Sequence, residues 1–597
     1  NGSNATFDNI TFVDSADVKL HSSAASAGDL YINASTDLAV GGNLSITATT
    51  GDITQGGALT ITGTTTLVTI GQGATIDLTT DTNAFTSELL ITTNDNNTPA
   101  DSTYAAHASI DGGTTNLIIG TSTIDGNLSL LSGGTITDTA SSTVTVKGAL
   151  TATTDANNSD ITLDGLEVGG AYIFTPHGTG VVIIVNAEGI DFVAMTVRGA
   201  FSATATTGNI TQSGALTITG ITTLVTSADN ATITLNDEGN AFTGKLLITT
   251  NDTGVETDGD VAIDGGTTNL ILGASTIDGD LALRSGGTIT DDGIATVKGT
   301  LTATTDASNG LITLNQLAVT GAVTLAPDGT GAVTIVNAAG LNLAASTMGG
   351  TFSGTATTGN ITQSGALAIA GATTLVTSGQ GADIVLTTDT NAFTSHLLIT
   401  TNETGSDIDA DVSIDGGTTN LIIGTSTIDG NLTLRSGGTI TDTGSSTVTV
   451  KGTLTATTDQ LNKIITLNDL AVDGAFTLAP DGTGAVTIVN DAGLILAAST
   501  MGGTFSGTAT TGNITQTGAL DIEGAITLVT LGQGATIDLL TNGSGNAFTS
   551  QLLITTNDND TPTDGTYAAN VSVDGGTTNL ILGNSTIDGN LTLLSGG

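Results

Sequence analysis

Four histidines are the first residues to consider as sites of chemistry, because imidazole serves as a general base or a metal ligand near neutral pH. They are His21, His107, His177 and His396. The chain is built of internal copies, and none of the four recurs at the equivalent position of another copy. His177 lies in a turn, HGTG, that reads DGTG in two later copies. We therefore interpret it as a surface turn residue rather than a catalytic one.

The nine basic residues give no better start for an active site. Glycan-cleaving enzymes built on stacked coils need clustered carboxylates, often joined by Arg or Lys on adjacent coils. Lys147, Lys298 and Lys451 occupy equivalent places in successive copies, which the strand spacing would place about 34 Å apart. They cannot build one site together. No Ser/His/Asp arrangement and no phosphate-binding loop with its lysine is present, so we predict that the chain is not an enzyme.

Closely spaced carboxylates recur between an LLITT strand and a DGG turn. The segment runs from Asn94 to Asp111, from Asn251 to Asp264, from Asn402 to Asp415 and from Asn557 to Asp574, so it is longer in the first and last copies. This variation predicts a projecting loop in each copy. Such oxygen-rich loops suit Ca²⁺, the one cofactor that remains possible, although a solvated loop without a metal is the alternative. Neither EF-hand spacing nor a glycine-rich calcium nonapeptide is present. The candidate ligands are Asp95, Asp101, Asp252, Glu256, Asp258, Asp260, Glu403, Asp407, Asp409, Asp411, Asp558, Asp560 and Asp564.

The elements that position these residues are predicted to be β-strands. Hydrophobic residues make up 38% of the 597 residues, while charged residues are 11% and aromatic residues 3%. A disordered chain would be poorer in aliphatic residues and richer in charge. Thr, Val and Ile favour pleated surfaces, and the 82 glycines favour turns. Segments such as Leu216-Thr217-Ile218-Thr219 alternate apolar and polar residues, as half-buried strands do.

Internal repetition sets the architecture. The block ATTG(D/N)ITQ has its glycine at Gly51, Gly208, Gly359 and Gly512, which are nearly equally spaced. We therefore divide the chain into a partial unit 1–50, full units 51–207, 208–358 and 359–511, and a partial unit 512–597. The DGGTTNL block recurs at a similar spacing, from Asp111, Asp264, Asp415 and Asp574.

A shorter period lies inside each unit. A glycine-led strand motif occurs at Gly148, Gly170, Gly199 and Gly214, and the same three gaps recur in the two later copies. Coils of about 22 residues with three sides of about seven explain these gaps, and seven such coils make one unit of about 150 residues. The sequence thus predicts an all-β, right-handed parallel β-helix that is one continuous solenoid. A string of immunoglobulin-like sandwiches would need a period of about 100 residues.

The charge balance limits the possible partners. Nine basic residues against 56 acidic ones give a formal charge of −47, so nucleic acid and anionic membrane surfaces should repel the chain. No apolar run is long enough for a transmembrane segment. Cysteine is absent, which excludes disulfides but not export.

Three strings carry a resemblance to a known group of proteins. They are ITQSGALTITG at 210–220, TTNLIIGTSTIDGNLSLLSGG at 114–134 and STVTVKGALTATT at 142–154. They resemble filamentous-haemagglutinin-like large exoproteins, autotransporter-type adhesin passengers and giant β-strand-repeat surface proteins of Gram-negative bacteria. The resemblance implies an extracellular or cell-surface location and a structural or adhesive role. It also implies contact with a host or neighbouring cell surface, with glycans, or with further copies of the chain.

The sequence thus favours an adhesive or structural rod, an internal segment of a much longer surface protein. A self-assembling extracellular filament or sheath subunit is the alternative, and a polysaccharide-active β-helix enzyme is less favoured. Because coil-edge strands seek partners, assembly would proceed through the sides or ends of the coils. Electron microscopy separates the first two possibilities, and a depolymerisation assay tests the third.

Overall fold

The computed structural model describes residues 9–14, 18–20, 30–31, 38–94, 105–251, 258–402, 409–444, 446–557 and 569–597. The chain forms two compact units, Asn1–Gly299 and Thr300–Gly597, which we call unit 1 and unit 2. Both are β-solenoids of parallel strands, with about 25 coils of roughly 21 residues in all. The predicted all-β parallel β-helix is confirmed. The described residues include no helix that is long and apolar enough to cross a membrane.

Each unit has two long sheets, face A and face B, and two short three-stranded sheets, together called face C. In unit 1, face A comprises Ile10–Asp14, Leu44–Ala48, Thr65–Thr69, Glu88–Thr93, Leu117–Ile119, Ser122–Ile124, Ile136–Asp138, Val144–Val146, Ile161–Val168, Val182–Asn186, Phe201–Ala205, Thr222–Thr226, Lys245–Thr249, Leu270–Leu272, Ser275–Ile277, Ile289–Asp291 and Ala295–Val297. Its face B comprises Val18–Leu20, Leu30–Tyr31, Ile53–Gln55, Ile76–Leu78, Ala108–Asp111, Leu128–Ser132, Leu150–Thr154, Ala171–Thr175, Ile190–Phe192, Ile210–Gln212, Ile233–Leu235, Val261–Asp264 and Leu281–Ser285. Its face C comprises Leu38–Val40, Leu59–Ile61, Ala84–Phe85, Met195–Val197, Leu216–Ile218 and Ala241–Phe242.

Unit 2 repeats the same plan. Its face A comprises Ile312–Val319, Val333–Asn337, Phe352–Ala356, Thr373–Thr377, His396–Thr400, Leu421–Ile423, Ser426–Ile428, Ile440–Asp442, Val448–Val450, Ile465–Val472, Val486–Asn490, Phe505–Ala509, Ile526–Thr530, Gln551–Thr556 and Ile581–Leu582. Its face B comprises Leu301–Thr305, Ala322–Ala326, Leu341–Leu343, Ile361–Gln363, Ile384–Leu386, Val412–Asp415, Leu432–Ser436, Leu454–Thr458, Ala475–Ala479, Leu494–Leu496, Ile514–Gln516, Ile537–Leu539, Val571–Asp574 and Leu591–Leu594. Its face C comprises Ser346–Met348, Leu367–Ile369, Ala392–Phe393, Ser499–Met501, Leu520–Ile522 and Ala547–Phe548, and a 3₁₀ turn covers Gly543–Gly545.

The strand register shows how many coils make one repeat. On face A of unit 2, Phe352 pairs with Thr373 of the next coil, and Thr373 pairs with Leu397 of the coil after that. Five further strand pairings lead to Phe505, which is the equivalent of Phe352 in the next copy. Seven steps therefore span one repeat, which agrees with the seven coils that the sequence predicts for each copy of about 150 residues.

Alternating burial explains why these short segments form strands. In Thr373–Thr377 the first, third and fifth side chains are buried, and the second and fourth are half-buried. A β-strand places successive side chains on opposite faces, so Leu375 enters the core while Thr374 and Val376 face outward. The inward Leu, Ile and Val side chains of successive coils stack on one another and form the core.

Aromatic side chains fill the wider parts of the core. A phenylalanine follows Asn-Ala at a coil corner in each copy. These phenylalanines are at most 1% exposed: Phe85, Phe242, Phe393 and Phe548. In unit 1, Tyr172 lies 6.0 Å from Phe174 and 6.2 Å from Phe192, measured between ring centroids. Burial of these rings supplies much of the hydrophobic stabilisation at those coils.

Candidate functional site

A buried aspartate pairs with a lysine of the following coil in three copies. Lys298 Nζ lies 2.6 Å from Asp278 Oδ1, and Lys451 Nζ lies 2.6 Å from Asp429 Oδ1. The third pair is Lys147 and Asp125, at 2.5 Å. The aspartate side chains are 1 to 5% exposed. Since a buried carboxylate is costly unless it is paired, each lysine neutralises a charge inside the solenoid.

The second copy adds another carboxyl group to this pair. Asp258 lies beside Asp278, and both carboxyl oxygens of Asp258 are shielded from solvent. The hydrogen bond from Lys298 lowers the pKa of Asp278, and burial opposes that effect. Asp258, Asp278 and Lys298 therefore form a compact cluster of two carboxyl groups and one amine, which we call the Asp–Asp–Lys cluster.

The DGG turn holds a second kind of buried aspartate. Asp415 Oδ1 accepts the backbone N–H of Gly417 at 2.8 Å, and Gly417 has a φ of 62° that favours glycine. Arg435 of the next coil lies 3.3 Å from Asp415. Burial raises the pKa of Asp415, although the Gly417 hydrogen bond and Arg435 oppose it. Asp111 in the first copy also has its pKa raised by burial.

At one corner of the solenoid, asparagine and aspartate side chains accept backbone hydrogen bonds from the next coil. Asn360 Oδ1 accepts the Asp383 backbone N–H at 2.9 Å, and Asp383 Oδ1 accepts the Asp411 N–H at 2.9 Å. Asp411 in turn accepts from Asn431 at 2.7 Å, and Asn431 from Thr453 at 2.8 Å. These five residues lie on five successive coils, and we call the chain of hydrogen bonds between them the corner ladder.

His107 occupies a rung of the equivalent ladder in the first copy. Its Nδ1 accepts the Asn127 backbone N–H at 2.8 Å, and Asn127 Oδ1 accepts the Ala149 N–H at 2.8 Å. Asp260, Asp411 and Asn570 take the same place in other copies. The imidazole therefore substitutes for a side-chain oxygen as a hydrogen-bond acceptor. His177 is an exposed turn residue, as the sequence predicts.

Four of the thirteen calcium candidates lie within the described residues: Asp258, Asp260, Asp409 and Asp411. Asp260 and Asp411 accept backbone N–H groups of the next coil, Asp258 contacts Asp278, and Asp409 is exposed. Across 258–402, 409–444 and the other described ranges, no three His, Cys, Asp or Glu side chains form a metal-binding group. The remaining candidates, Asp95, Asp101, Asp252, Glu256, Glu403, Asp407, Asp558, Asp560 and Asp564, lie outside the described residues.

A shallow groove lies beside the start of the acidic segment in the third copy. It is lined by Val376, Thr377, Ser378, Thr400, Thr401, Asn402 and Thr427. The Thr401 hydroxyl accepts the Asp429 N–H at 2.8 Å, and Asn402 donates to the Ser378 carbonyl at 2.7 Å. Its polar groups thus serve the stacking of coils.

The Asp–Lys ion pairs were missed in the sequence, although each pair shows there as opposite charges separated by about one coil length. Asp125 lies 22 residues before Lys147, and Asp429 lies 22 residues before Lys451. Asp278 and Lys298 are separated in a similar way. Comparing the three lysines with one another tests only whether they could form one site together. Each of them lies in a separate ion pair. A search for acidic residues one coil earlier would have found each partner.

Seven segments of the chain match one family model, described as repeats of unknown function (DUF5649). They are residues 8–92, 105–170, 179–249, 258–326, 330–400, 409–479 and 483–555. Alternate segments, such as 258–326 and 409–479, begin one sequence copy apart, so each copy of about 150 residues contains two family repeats. No curated protein and no solved structure matches the chain.

Proposed function

We propose that this chain, which belongs to the DUF5649 family of repeats of unknown function, serves as a structural rod of an extracellular surface protein. The rod would extend or display other parts of that protein, and it would not be catalytic. Stacked coils lengthen a solenoid along one axis with each duplication, because every coil contacts only its neighbours.

The use of polar side chains between coils is the observation that carries this proposal. In unit 2 the corner ladder runs from Asn360 through Asp383 and Asp411 to Asn431. Lys451 neutralises Asp429 of the preceding coil. Residues whose types could do chemistry are thus bonded into the stack, which supports a mechanical role.

The resemblance of the repeats to large exoproteins supports a location outside the cell, and the acidic composition supports a role in spacing. A charge of −47 keeps neighbouring chains apart in solution and resists unspecific association. Adhesion to a host or neighbouring cell, or to a glycan, would use surface segments that vary between copies. The acidic segments are the best candidates, since their lengths differ while their flanking strands keep the same pattern.

Electron microscopy of the source cells with a gold-labelled antibody against this chain tests the proposal. We expect label on thin, separate projections at the cell surface, and labelling of intact cells that have not been permeabilised. Label confined to the cell interior would refute the extracellular assignment. The purified chain should also show no depolymerisation of polysaccharide panels, and reproducible cleavage would refute the structural assignment.

A self-assembling filament is the second candidate, and an uncharged patch on face A favours it. The outward side chains of four adjacent strands in unit 2 include no Asp, Glu, Lys or Arg: they are Thr334, Val336, Ser353, Thr355, Thr374, Val376, His396, Leu398 and Thr400. Two such patches could pack without charge repulsion despite the acidity of the chain. A helical lattice in micrographs of the purified chain would favour this alternative over separate rods.

A further inference from the structure

The Asp–Asp–Lys cluster of unit 1 brings an amine and a carboxyl group together beside a second acid. Lys298 Nζ contacts Asp278 Oδ1 at 2.6 Å, and the Asp278 side chain is 1% exposed. Lys298 itself is 32% exposed, against 56% for Lys147 in the equivalent pair of the first copy. Asp258 lies beside Asp278, and both of its carboxyl oxygens are shielded from solvent.

We propose that Lys298 and Asp278 condense to form an intramolecular isopeptide bond, with Asp258 moving the protons. The product would link two consecutive coils covalently, since Asp278 follows strand Ser275–Ile277 and Lys298 follows strand Ala295–Val297. These two strands already pair in parallel, with Ile277 opposite Val297. The bond therefore requires no change in the register of the coils.

The reaction balances without an oxidant or a cofactor. A proton first passes from the Lys298 ammonium group to the Asp278 carboxylate, which leaves a neutral amine and a carboxylic acid. Nζ attacks Cγ and forms the C–N bond, and the C–O bond to the departing hydroxyl breaks. Asp258 donates a proton to that hydroxyl and recovers one from the nitrogen. The products are an amide and one water molecule.

The held geometry favours this step. An attacking atom must approach its target carbon to about 3–3.5 Å, and such positioning lowers the barrier greatly. The 2.6 Å contact to Oδ1 holds Nζ beside Cγ of Asp278. Asp258 supplies the general acid, a contribution of roughly 10²–10⁴ in rate. Its shielded oxygens keep this proton transfer away from bulk water.

The other copies contain the pair without the buried acid, so they act as internal controls. The residue equivalent to Asp258 is Ala105 in the first copy, and in the third copy it is Asp409, which is exposed. Asp409 precedes Ala410, whereas Asp258 precedes Gly259. A Cβ at position 259 would lie 2.8 Å from Thr250 Oγ1. The missing Cβ thus allows the chain to pass close to Thr250 and carry Asp258 inward.

Mass spectrometry of the intact folded chain, followed by peptide mapping, tests this inference. We expect a mass lower by one water molecule, with the loss located on a branched peptide that contains Asp278 and Lys298. Lys451 and Asp429 should appear in unlinked peptides of the same digest. A wild-type chain that keeps its full mass after long incubation at pH 7 would overturn the proposal.

Two conservative variants separate the role of the acid from folding. Lys298→Arg keeps the ion pair and should keep the full mass. Asp258→Asn keeps the shape of the side chain and should slow bond formation at least ~100-fold, because the general acid is removed. Circular dichroism should show unchanged β-structure in both. A water loss at the wild-type rate in Asp258→Asn would refute the role of Asp258.

Discussion

Gln363 and Asn391, 28 residues apart, exchange hydrogen bonds through their side-chain amides. Gln363 Nε2 donates to Asn391 Oδ1 at 2.9 Å, and Asn391 Nδ2 donates to Gln363 Oε1 at 3.0 Å. Asn391 is 1% exposed and also accepts the Leu367 N–H at 2.9 Å and donates to the Asp415 carbonyl at 3.0 Å. It thus satisfies polar groups from several coil segments at one buried corner. The same exchange occurs between Gln55 and Asn83, Gln212 and Asn240, and Gln516 and Asn546.

Replacing Asn391 with leucine should loosen this corner. The Leu367 N–H and the Asp415 carbonyl lose their partner inside the protein, which costs about 1–3 kcal/mol for each group. Hydrogen exchange measured by mass spectrometry should show lower protection of the peptide that contains Leu367. The peptide around Leu216, held by Asn240 in another copy, is the control in the same molecule. Equal loss of protection in both peptides would contradict a local role.

Replacing Lys451 with methionine should destabilise its coil, because Asp429 would remain buried without its cation. We expect a local loss of about 3 kcal/mol, measured by hydrogen exchange of strands Ser426–Ile428 and Val448–Val450. Lys245→Met is the matched control, since Lys245 and Asp292 form an exposed pair, 43% and 60% accessible. Such pairs contribute about 0–1 kcal/mol. Equal effects of the two substitutions would contradict the importance of burial.

Replacing Tyr172 with phenylalanine should stabilise unit 1. The Tyr172 hydroxyl is buried and has no hydrogen-bond partner among the described residues, and burial raises its pKa above the usual value. Register places Phe476 of unit 2 at the equivalent position. We expect a gain of about 1–2 kcal/mol in the free energy of unfolding of that coil. Phe476→Tyr should produce the opposite change, and a loss of stability in Tyr172→Phe would contradict the argument.

Asp442 should make its coil more stable in mild acid than at neutral pH. Burial raises its pKa, three backbone hydrogen bonds oppose the rise, and the Asp469 charge adds to it. A raised pKa contributes stability that is present below the usual carboxyl pKa and is lost as the pH rises through the raised value. Asp442→Asn should therefore increase protection from hydrogen exchange at pH 7 and change nothing well below that window. Comparison with wild type at each pH cancels the intrinsic exchange rates.

Calcium should stabilise the chain if the acidic segments bind it. The melting midpoint is then expected to rise with added Ca²⁺ and to fall with a chelator, because a ligand of the folded state favours that state. Mg²⁺ at the same ionic strength is the control for charge screening. An unchanged midpoint in Ca²⁺ and chelator would remove this hypothesis.

Coil length and core residues could be predicted from the sequence because both depend on period. Alternating residues place Leu375 inside and Thr374 outside, and glycine spacing gives the length of each coil. The corner ladder could not be found in that way. Asn116, Asn269, Asn420 and Asn579 look like a ladder in the sequence, but they recur only once per sequence copy of seven coils and so cannot be neighbours. The true ladder joins unlike positions such as Asn360 and Asp383, whose common feature appears only when coils are superposed.

The Asp–Asp–Lys cluster depends on a local change that composition and period do not reveal. Asp258 and Asp409 occupy equivalent positions, and in the sequence both are calcium candidates of the same kind. The Asp258 carboxyl oxygens are shielded from solvent, whereas Asp409 is exposed. The neighbouring residue also differs, since Gly259 follows Asp258 and Ala410 follows Asp409.

The corner ladder and the strand pairing hold adjacent coils together independently of the peptide bonds that connect them. Adjacent coils are bonded along faces A and B as well as through the peptide chain, and side chains add further bonds, as between Asn431 and Thr453. A single proteolytic cut in one coil would leave both fragments attached to each other under native conditions. Such a protein tolerates nicks at its surface, and its fragments separate only when a denaturant breaks the stacking.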